Sequence, residues 1–246
     1  MDEVIEAKQK WISSADAWIS TVQRGDLNRT HLLDPVMLEC VGDVSGQNVI
    51  DIGCGEGRFS RMLSEKGAII TGIDLTPSLI EEAKRLDPAG TYLEASAEAL
   101  PFDDDSFDIA ISYIVLVDVS DFRTAIDEMA RVTKPGGRIV VANVNSLATT
   151  CSTGWIKDAE GKKMHFPVDG YFEERGLRHS WSGISIINWH RPLTAYMSAY
   201  LKAGLVLKEF LEPCPTPEAL KEHPNMVDET RIALFNVMVW EKPKVA

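Results

Sequence analysis

Cysteine is scarce and scattered: Cys40, Cys54, Cys151 and Cys214 include no Cys-x-x-Cys pair. That excludes a zinc ribbon or a disulfide framework and leaves reduced thiols as the expectation. Long apolar runs are also missing. The longest, around Ile109 to Val119, is interrupted and too short to span a bilayer. The chain opens on Met1-Asp2-Glu3, with no basic stretch leading into an apolar one, so no secretory signal is expected. Positive charge is in deficit, with 25 Lys and Arg against 37 Asp and Glu and a formal charge of −12. Nucleic-acid affinity rests on neutralising phosphates with Lys and Arg, so this balance argues against a polyanion partner and suits small or cationic ligands. There is no internal repeat or low-complexity tract. A soluble cytoplasmic protein is expected, monomer or homodimer, with no nucleic-acid partner, no membrane partner and no metal site.

What is present is a chain of 246 residues, 45% of them hydrophobic, enough for one large domain with an appendage. Trp11, Ile12, Ala15, Trp18, Ile19 and Val22 recur at helical spacing up to Gly25, and a second helix is expected through Leu32 to Val41. From Asn48 strands alternate with helices, the strands at Asn48–Ile52, Ala68–Ile73, Tyr92–Glu94, Phe107–Ser112 and Arg138–Asn143. That order predicts an α/β fold with a parallel sheet and helices on both faces. Thr76 is placed to cap a helix beginning at Pro77, and Lys134-Pro135-Gly136-Gly137 to turn another helix into a strand. Residues from about Ser146 to Trp189 are rich in Gly, aromatics and His with weak periodicity, and read as an insertion. A helix closed by Gly204 and two strands, Leu205–Phe210 and Ala233–Trp240, complete the chain.

The strand ending in Asp51 runs into glycines at 53, 55 and 57. Bare backbone at the C-terminal edge of a parallel sheet is where open α/β folds bind ligands. Dinucleotide oxidoreductases use a related loop, and Asp74 at the end of the second strand suits a ribose diol in either case. Charge separates the two: Asp51 and Glu56 would repel a pyrophosphate but attract a cation. Glu56 also fits as a solvent-facing or helix-capping residue.

The stretch Val49-Ile50-Asp51-Ile52-Gly53-Cys54-Gly55-Glu56-Gly57-Arg58-Phe59 resembles the first motif of the class I S-adenosylmethionine-dependent methyltransferases, in the small-molecule, type 11-like branch. Ile73-Asp74-Leu75-Thr76 resembles their second-strand acidic motif, and Ala97-Glu98-Ala99-Leu100-Pro101-Phe102 with Ser106-Phe107-Asp108 their adenine-side loop. Arg131-Val132-Thr133-Lys134-Pro135-Gly136-Gly137-Arg138 resembles the turn before their fifth strand. The resemblance implies a Rossmann-like, doubly wound, seven-stranded sheet, mostly parallel with an antiparallel last strand, carrying an N-terminal helical cap and an inserted lid before strand six. On that reading one domain covers 1–246, with the cap at 1–44, the core at 45–144 and 201–246, and the lid at 145–200.

The cofactor so implied is S-adenosylmethionine. Asp51, Gly53, Gly55 and Glu56 would face its methionine end, with Ser112 beside it, while Asp74 and Leu75 would meet the ribose. Ser96, Ala97 and Glu98 would face adenine, although many relatives carry Asp where Ser96 stands. Trp18 and Arg29 would close over the cofactor, Arg29 near its carboxylate; Trp18 fits a buried helical stripe equally well. Asp118, near where many relatives have a histidine, reads as a helix-start residue or a group facing the substrate.

Methyl transfer is an in-line displacement at an activated carbon, so alignment and water exclusion are the main tasks, and a base is required only if the acceptor must lose a proton. His190 and His165 are the candidate bases. Tyr113, Trp155, Tyr171, Trp181, Trp189 and His190 are the candidate acceptor contacts, against the alternative that the insertion's aromatics build its own small core. The acceptor expected is a small metabolite methylated on O or N. The alternatives are an S-adenosylmethionine-binding enzyme of another transfer type, a nicotinamide-dependent oxidoreductase, or a non-catalytic relative. Base methylation in nucleic acid is disfavoured, because Ser112-Tyr113-Ile114-Val115 lacks a Pro-Pro-aromatic signature.

Overall fold

The computed structural model describes residues 3–151 and 153–244. Five parallel strands form the body of the sheet: β1 (Asn48–Ile52), β2 (Ile69–Asp74), β3 (Thr91–Glu94), β4 (Phe107–Tyr113) and β5 (Thr133–Val144). Two more, β10 (Val206–Leu211) and β11 (Phe235–Glu241), extend it, giving the order β10-β11-β5-β4-β1-β2-β3. β11 is antiparallel to both its neighbours. The seven-stranded, mostly parallel sheet with a reversed last strand is therefore the fold of this chain.

The central strands β1, β4, β5 and β11 are largely buried on both faces, which is why they read as apolar runs rather than as an alternating pattern. One face sets Ile50, Ile52, Ala110, Ile139 and Val141 against α5 (Phe122–Val132). The other sets Val49, Ile109, Ile111 and Val140 against α2 (Asp34–Val41) and α3 (Arg58–Ser64). Asp121 caps α5, its carboxylate accepting from Thr124 N at 3.1 Å. Thr76 stands at the N-cap of α4 (Pro77–Leu86) but makes no side-chain cap bond. Between α5 and the β4-paired part of β5, Lys134–Gly137 bulge out, because the register jumps from Phe107↔Thr133 to Ile109↔Arg138.

α1 (Glu3–Arg24) ends before Gly25, followed by a π-helical turn at Asn28–Leu33 that leads straight into α2. The insertion is not irregular. It contains a small hairpin, β6 (Ile156–Lys157) with β7 (Lys163–His165), and a long one, β8 (Arg175–Trp181) with β9 (Ile184–His190). The long hairpin turns through Ser182 and Gly183, both at positive φ, the two-residue geometry that matches strand twist. α6 (Leu193–Lys202) is not part of a lid: Tyr196, Ala199 and Tyr200 sit in the main core, Tyr200 stacked on Trp240 at 4.6 Å. The proposed lid boundary at 200 therefore corrects to the end of β9. A short α7 (Pro217–Glu222) and a 3-10 turn (Pro224–Thr230) precede β11. Among the described residues no helix is long and apolar enough to cross a membrane.

α1 and the β8–β9 hairpin form a roof over the C-terminal ends of the central strands. Ser14 joins them by donating to Ser185 O at 3.1 Å and accepting from Ser185 N at 2.9 Å. Gly183 packs so closely that a Cβ there would meet Ala17 at 3.3 Å. Ser14→Ala strands both Ser185 backbone groups. It is expected to cost about 1–2 kcal/mol in denaturant unfolding and to speed amide exchange along β9; unchanged exchange would mean the roof is held by other contacts.

Candidate functional site

At the topological switch between β1 and β4 the chain opens into a cavity of about 560 Å³. Its floor is the glycine loop. Gly53 and Cys54 both donate to Ile73 O at 2.8 Å, binding the loop to the end of β2. At Gly53 φ is +72° and a Cβ would stand 2.5 Å from the Val115 side chain, so glycine here admits the loop that follows β4. Gly55, at φ +58°, faces the cavity, and a Cβ would meet only Trp18 Nε1 at 3.7 Å. The first glycine serves packing and the second leaves room for a ligand.

Three carboxylates surround that loop. Asp51 is buried and accepts from Ser60 Oγ at 2.6 Å. Burial, aided by the charges of Asp74 and Glu56, pushes its pKa up to about 6. Asp74 accepts from Gly55 N at 3.0 Å and Thr76 N at 2.8 Å, and burial raises it as well. Glu56 is buried with Oε1 lacking a hydrogen bond, Arg61 lying 3.6 Å away. It is neither a cap nor a solvent-facing group.

Arg29, on the π-helical turn, lies over Trp18 at 4.7 Å and over Tyr113 at 5.4 Å. Its buried Nε makes no hydrogen bond, although Asp26 is 3.4 Å away. Beyond β3, Ser96 and Glu98 form a tight turn in which Glu98 N donates to Ser96 Oγ at 3.2 Å, and Glu98 in turn accepts from Asp121 N at 2.8 Å. Ala97 and Leu75 line the same side of the cavity. The far side is apolar: Trp11 and Trp18, edge to face at 5.6 Å, with Trp181, Ile186, Val115, Val117 and Phe235. Tyr113 presents its ring there, its hydroxyl donating to Asp34 Oδ1 at 2.7 Å, and Arg58 holds the same carboxylate at 2.8 Å.

Several expected residues lie elsewhere. Ser112 is fully buried, its Oγ unpartnered, and does not line the cavity. Strand alternation turns Tyr113 toward the cavity and Ser112 to the opposite face. His190 is buried behind the roof, Nδ1 against Thr149 Oγ1 at 2.8 Å and Nε2 against Tyr171 O at 2.9 Å, so both ring nitrogens are occupied away from the cavity. His165 is exposed on β7. Trp155 packs on Phe166 and under Arg231 at 4.2 Å, Tyr171 accepts from Leu193 N through its hydroxyl at 3.1 Å, and Trp189 lies beside Arg191, its backbone N donating to Val117 O at 2.6 Å. These three are taken up in packing within the insertion and against the segments that flank it. Of the proposed acceptor contacts, Tyr113 and Trp181 line the cavity, together with Trp11, Asp118 and Asn188. Trp11 shares the helical face of Trp18 seven residues on, a signal the sequence did carry; nothing local marks Asn188. His31 and His223, unremarkable in the sequence, meet ring to ring at 4.3 Å beside Glu222 outside the cavity.

This glycine loop, with an acidic second-strand end and a reversed final strand, defines a class I S-adenosylmethionine-dependent methyltransferase domain. Residues 50–141 match the family described as a methyltransferase domain. A crystal structure of an S-adenosylmethionine-dependent methyltransferase from Mesorhizobium loti superposes with TM-score 0.79 at 26% identity, covering 89% of this chain and 99% of that one. A malonyl-[acyl-carrier protein] O-methyltransferase of Erwinia billingiae is 38% identical over 164 residues, 66% of this chain and 64% of the relative. A demethylmenaquinone methyltransferase of Renibacterium salmoninarum is 36% identical over 107 residues, 44% of this chain and 45% of the relative. The chain thus matches less than two thirds of the length of these two curated relatives.

His190→Ala is expected to lower stability by about 1–3 kcal/mol in denaturant titrations at pH 8, because Thr149 and the Tyr171 carbonyl lose their partner. Burial holds the imidazole below its ordinary value. Its contribution is therefore complete above roughly pH 6.5 and is lost as pH falls through the lower folded value, so the variant should approach wild type at acid pH. A variant of native stability at pH 8 would contradict the assignment.

Proposed function

We propose that this protein transfers a methyl group from S-adenosylmethionine to an O or N atom of a small acceptor. The observation that carries the reading is one cavity joining an acidic glycine loop to a chamber roofed by indoles. The residues present fit this cofactor. Glu56 Oε1 and Arg29 Nε are buried polar atoms without hydrogen bonds, one negative and one positive, matching the cofactor's ammonium and carboxylate. Asp51 would stand behind Glu56, Asp74 would take the ribose hydroxyls through its remaining lone pairs, and the Ser96-Ala97-Glu98 turn would edge the adenine. A pyrophosphate would meet three carboxylates at this loop, which disfavours a nicotinamide cofactor.

When bound, S-adenosylmethionine supplies a methyl carbon already activated by its sulfonium. The protein's share is to hold the acceptor in line and keep water out. Trp11, Trp18, Trp181 and Phe235 offer an apolar surface suited to a compact, largely hydrophobic acceptor. The cap at 1–44 and the inserted hairpins would act together as the cover. The enzyme would work in the cytoplasm, as a monomer or homodimer, without nucleic-acid or membrane partners.

Calorimetry is expected to show binding of S-adenosylmethionine or S-adenosylhomocysteine and none of NAD. Asp74→Ala should weaken that binding more than tenfold; tight NAD binding, or an Asp74 variant of native affinity, overturns the reading. Asp51 titrates near pH 6 and helps to hold the cation only when ionised. Cofactor affinity should therefore rise between pH 5 and pH 7, and a flat profile would remove Asp51 from the site.

A further inference from the structure

In the apolar chamber a pair of side chains joins floor to roof: Asn188 Nδ2, from β9, donates to Asp118 Oδ1, from the loop after β4, at 2.5 Å. Both residues line the cavity. Asp118 is half-buried, exposed into that cavity, and forms no salt bridge among the described residues. Its loop is held rigidly. Trp189 N donates to Val117 O at 2.6 Å, and the buried Arg191 guanidinium donates to the carbonyls of Leu116 at 2.9 Å, Val119 at 2.5 Å and Ser120 at 2.9 Å. With the backbone pinned on both sides of residue 118, the Asn188 hydrogen bond holds the Asp118 side chain at the cavity wall.

The geometry points to Asp118 as the proton acceptor of the reaction, positioned by Asn188, for a hydroxyl carried on a flat unsaturated ring, a phenol or enol, lodged among Trp11, Trp18 and Trp181. This rests on methyl transfer being the chain's reaction. The hydroxyl proton passes to the free Asp118 oxygen as the hydroxyl oxygen's electron pair bonds to the methyl carbon. The C–S pair stays on the departing sulfur, which becomes a neutral thioether, and the carboxyl later returns its proton to water.

Acid strength supports this class of acceptor. Burial pushes Asp118 up to about 8 against the lowering effects of Asn188, Arg29 and Arg191, while Asp74 adds to the rise. That brings a carboxylate within reach of a phenol near pKa ~10, which an ordinary carboxylate is not. An acceptor carboxylate, by contrast, carries no proton to remove and would meet Asp118 as a like charge.

The test uses wild type, Asp118→Asn and Asn188→Ala, with phenol, catechol and 2-naphthol as probes and isotopically labelled S-adenosylmethionine. Wild type is expected to form a methyl ether from at least one probe, at a rate that rises with pH to a plateau above about 8. Asp118→Asn should lower kcat at least a hundredfold while binding S-adenosylhomocysteine within threefold of wild type. Asn188→Ala should move the rising limb to higher pH, since the lost hydrogen bond favoured the carboxylate. Without any ligand, a raised carboxyl stabilises the fold only at acid pH and loses that contribution as pH rises toward 8. Asp118→Asn should therefore melt above wild type at pH 9 and level with it near pH 4. An active Asp118→Asn, an unmoved limb, a pH-independent melting difference, or no methylated phenol despite homocysteine-product binding each overturns Asp118 as the base for such acceptors. Failure of wild type to bind S-adenosylhomocysteine would instead overturn the methyltransferase reading itself.

Discussion

Three carboxylates, Asp51, Glu56 and Asp74, share the mouth of two adjacent parallel strands, and most of the site follows from how the chain tolerates them there. Like charges withdrawn from water repel and are pushed toward protonation, which is the direction taken by Asp51 and Asp74. The fold answers mainly with backbone and hydroxyl donors, and with Arg61 beside Glu56. Gly55 N and Thr76 N spend their hydrogens on Asp74, and the Ser60 hydroxyl on Asp51. Glu56 keeps an oxygen that makes no hydrogen bond. A cation delivered by the ligand would complete such an arrangement, and on the proposed reading the acidic loop would serve selectivity as much as affinity.

The opposite wall depends on a buried cation handled in the mirror-image way. Among the described residues Arg191 has no carboxylate partner; its guanidinium donates to three loop carbonyls and lies 4.4 Å from the Phe122 ring centre. A buried charge left with partial dipoles is expensive unless the donors are nearly all used. Here they organise the loop between β4 and α5 and tie it to the end of β9. The glycine at 53 belongs to the same arrangement, because only a missing Cβ lets Val115 of that loop rest on the floor. Floor, loop and roof are thus one packed unit around the cavity.

The parts legible in the sequence were those whose chemistry is local. A glycine loop after a buried strand and an acidic residue at the next strand's end each announce themselves within a few residues and lie where expected, while the Lys134–Gly137 turn falls within β5 as a bulge. Ser112 shows where such reading fails. Strand parity, not nearness to the site, decides which way a side chain points, and one residue's step sent Tyr113 to the cavity instead. The insertion misled in a different way: its His and Trp residues suggested a binding surface, yet Trp155, Tyr171, Trp189 and His190 are used up in its own packing. Its weak periodicity concealed a regular hairpin, because one face of β8 is open to solvent.

From its sequence alone the chain determined a parallel α/β sheet, the strand ends at which the cavity opens and the negative charge gathered there, because these depend on neighbours within one turn or one strand. Tertiary structure alone decided which residues look into the chamber. Asp118 and Asn188 are 70 positions apart and meet at 2.5 Å only because the β8–β9 hairpin folds back beneath α1. Long-range closure of that kind leaves no local pattern. The same closure buried His190 and brought Trp11 over the cavity, since both outcomes turn on where the hairpin docks and not on the residues beside them.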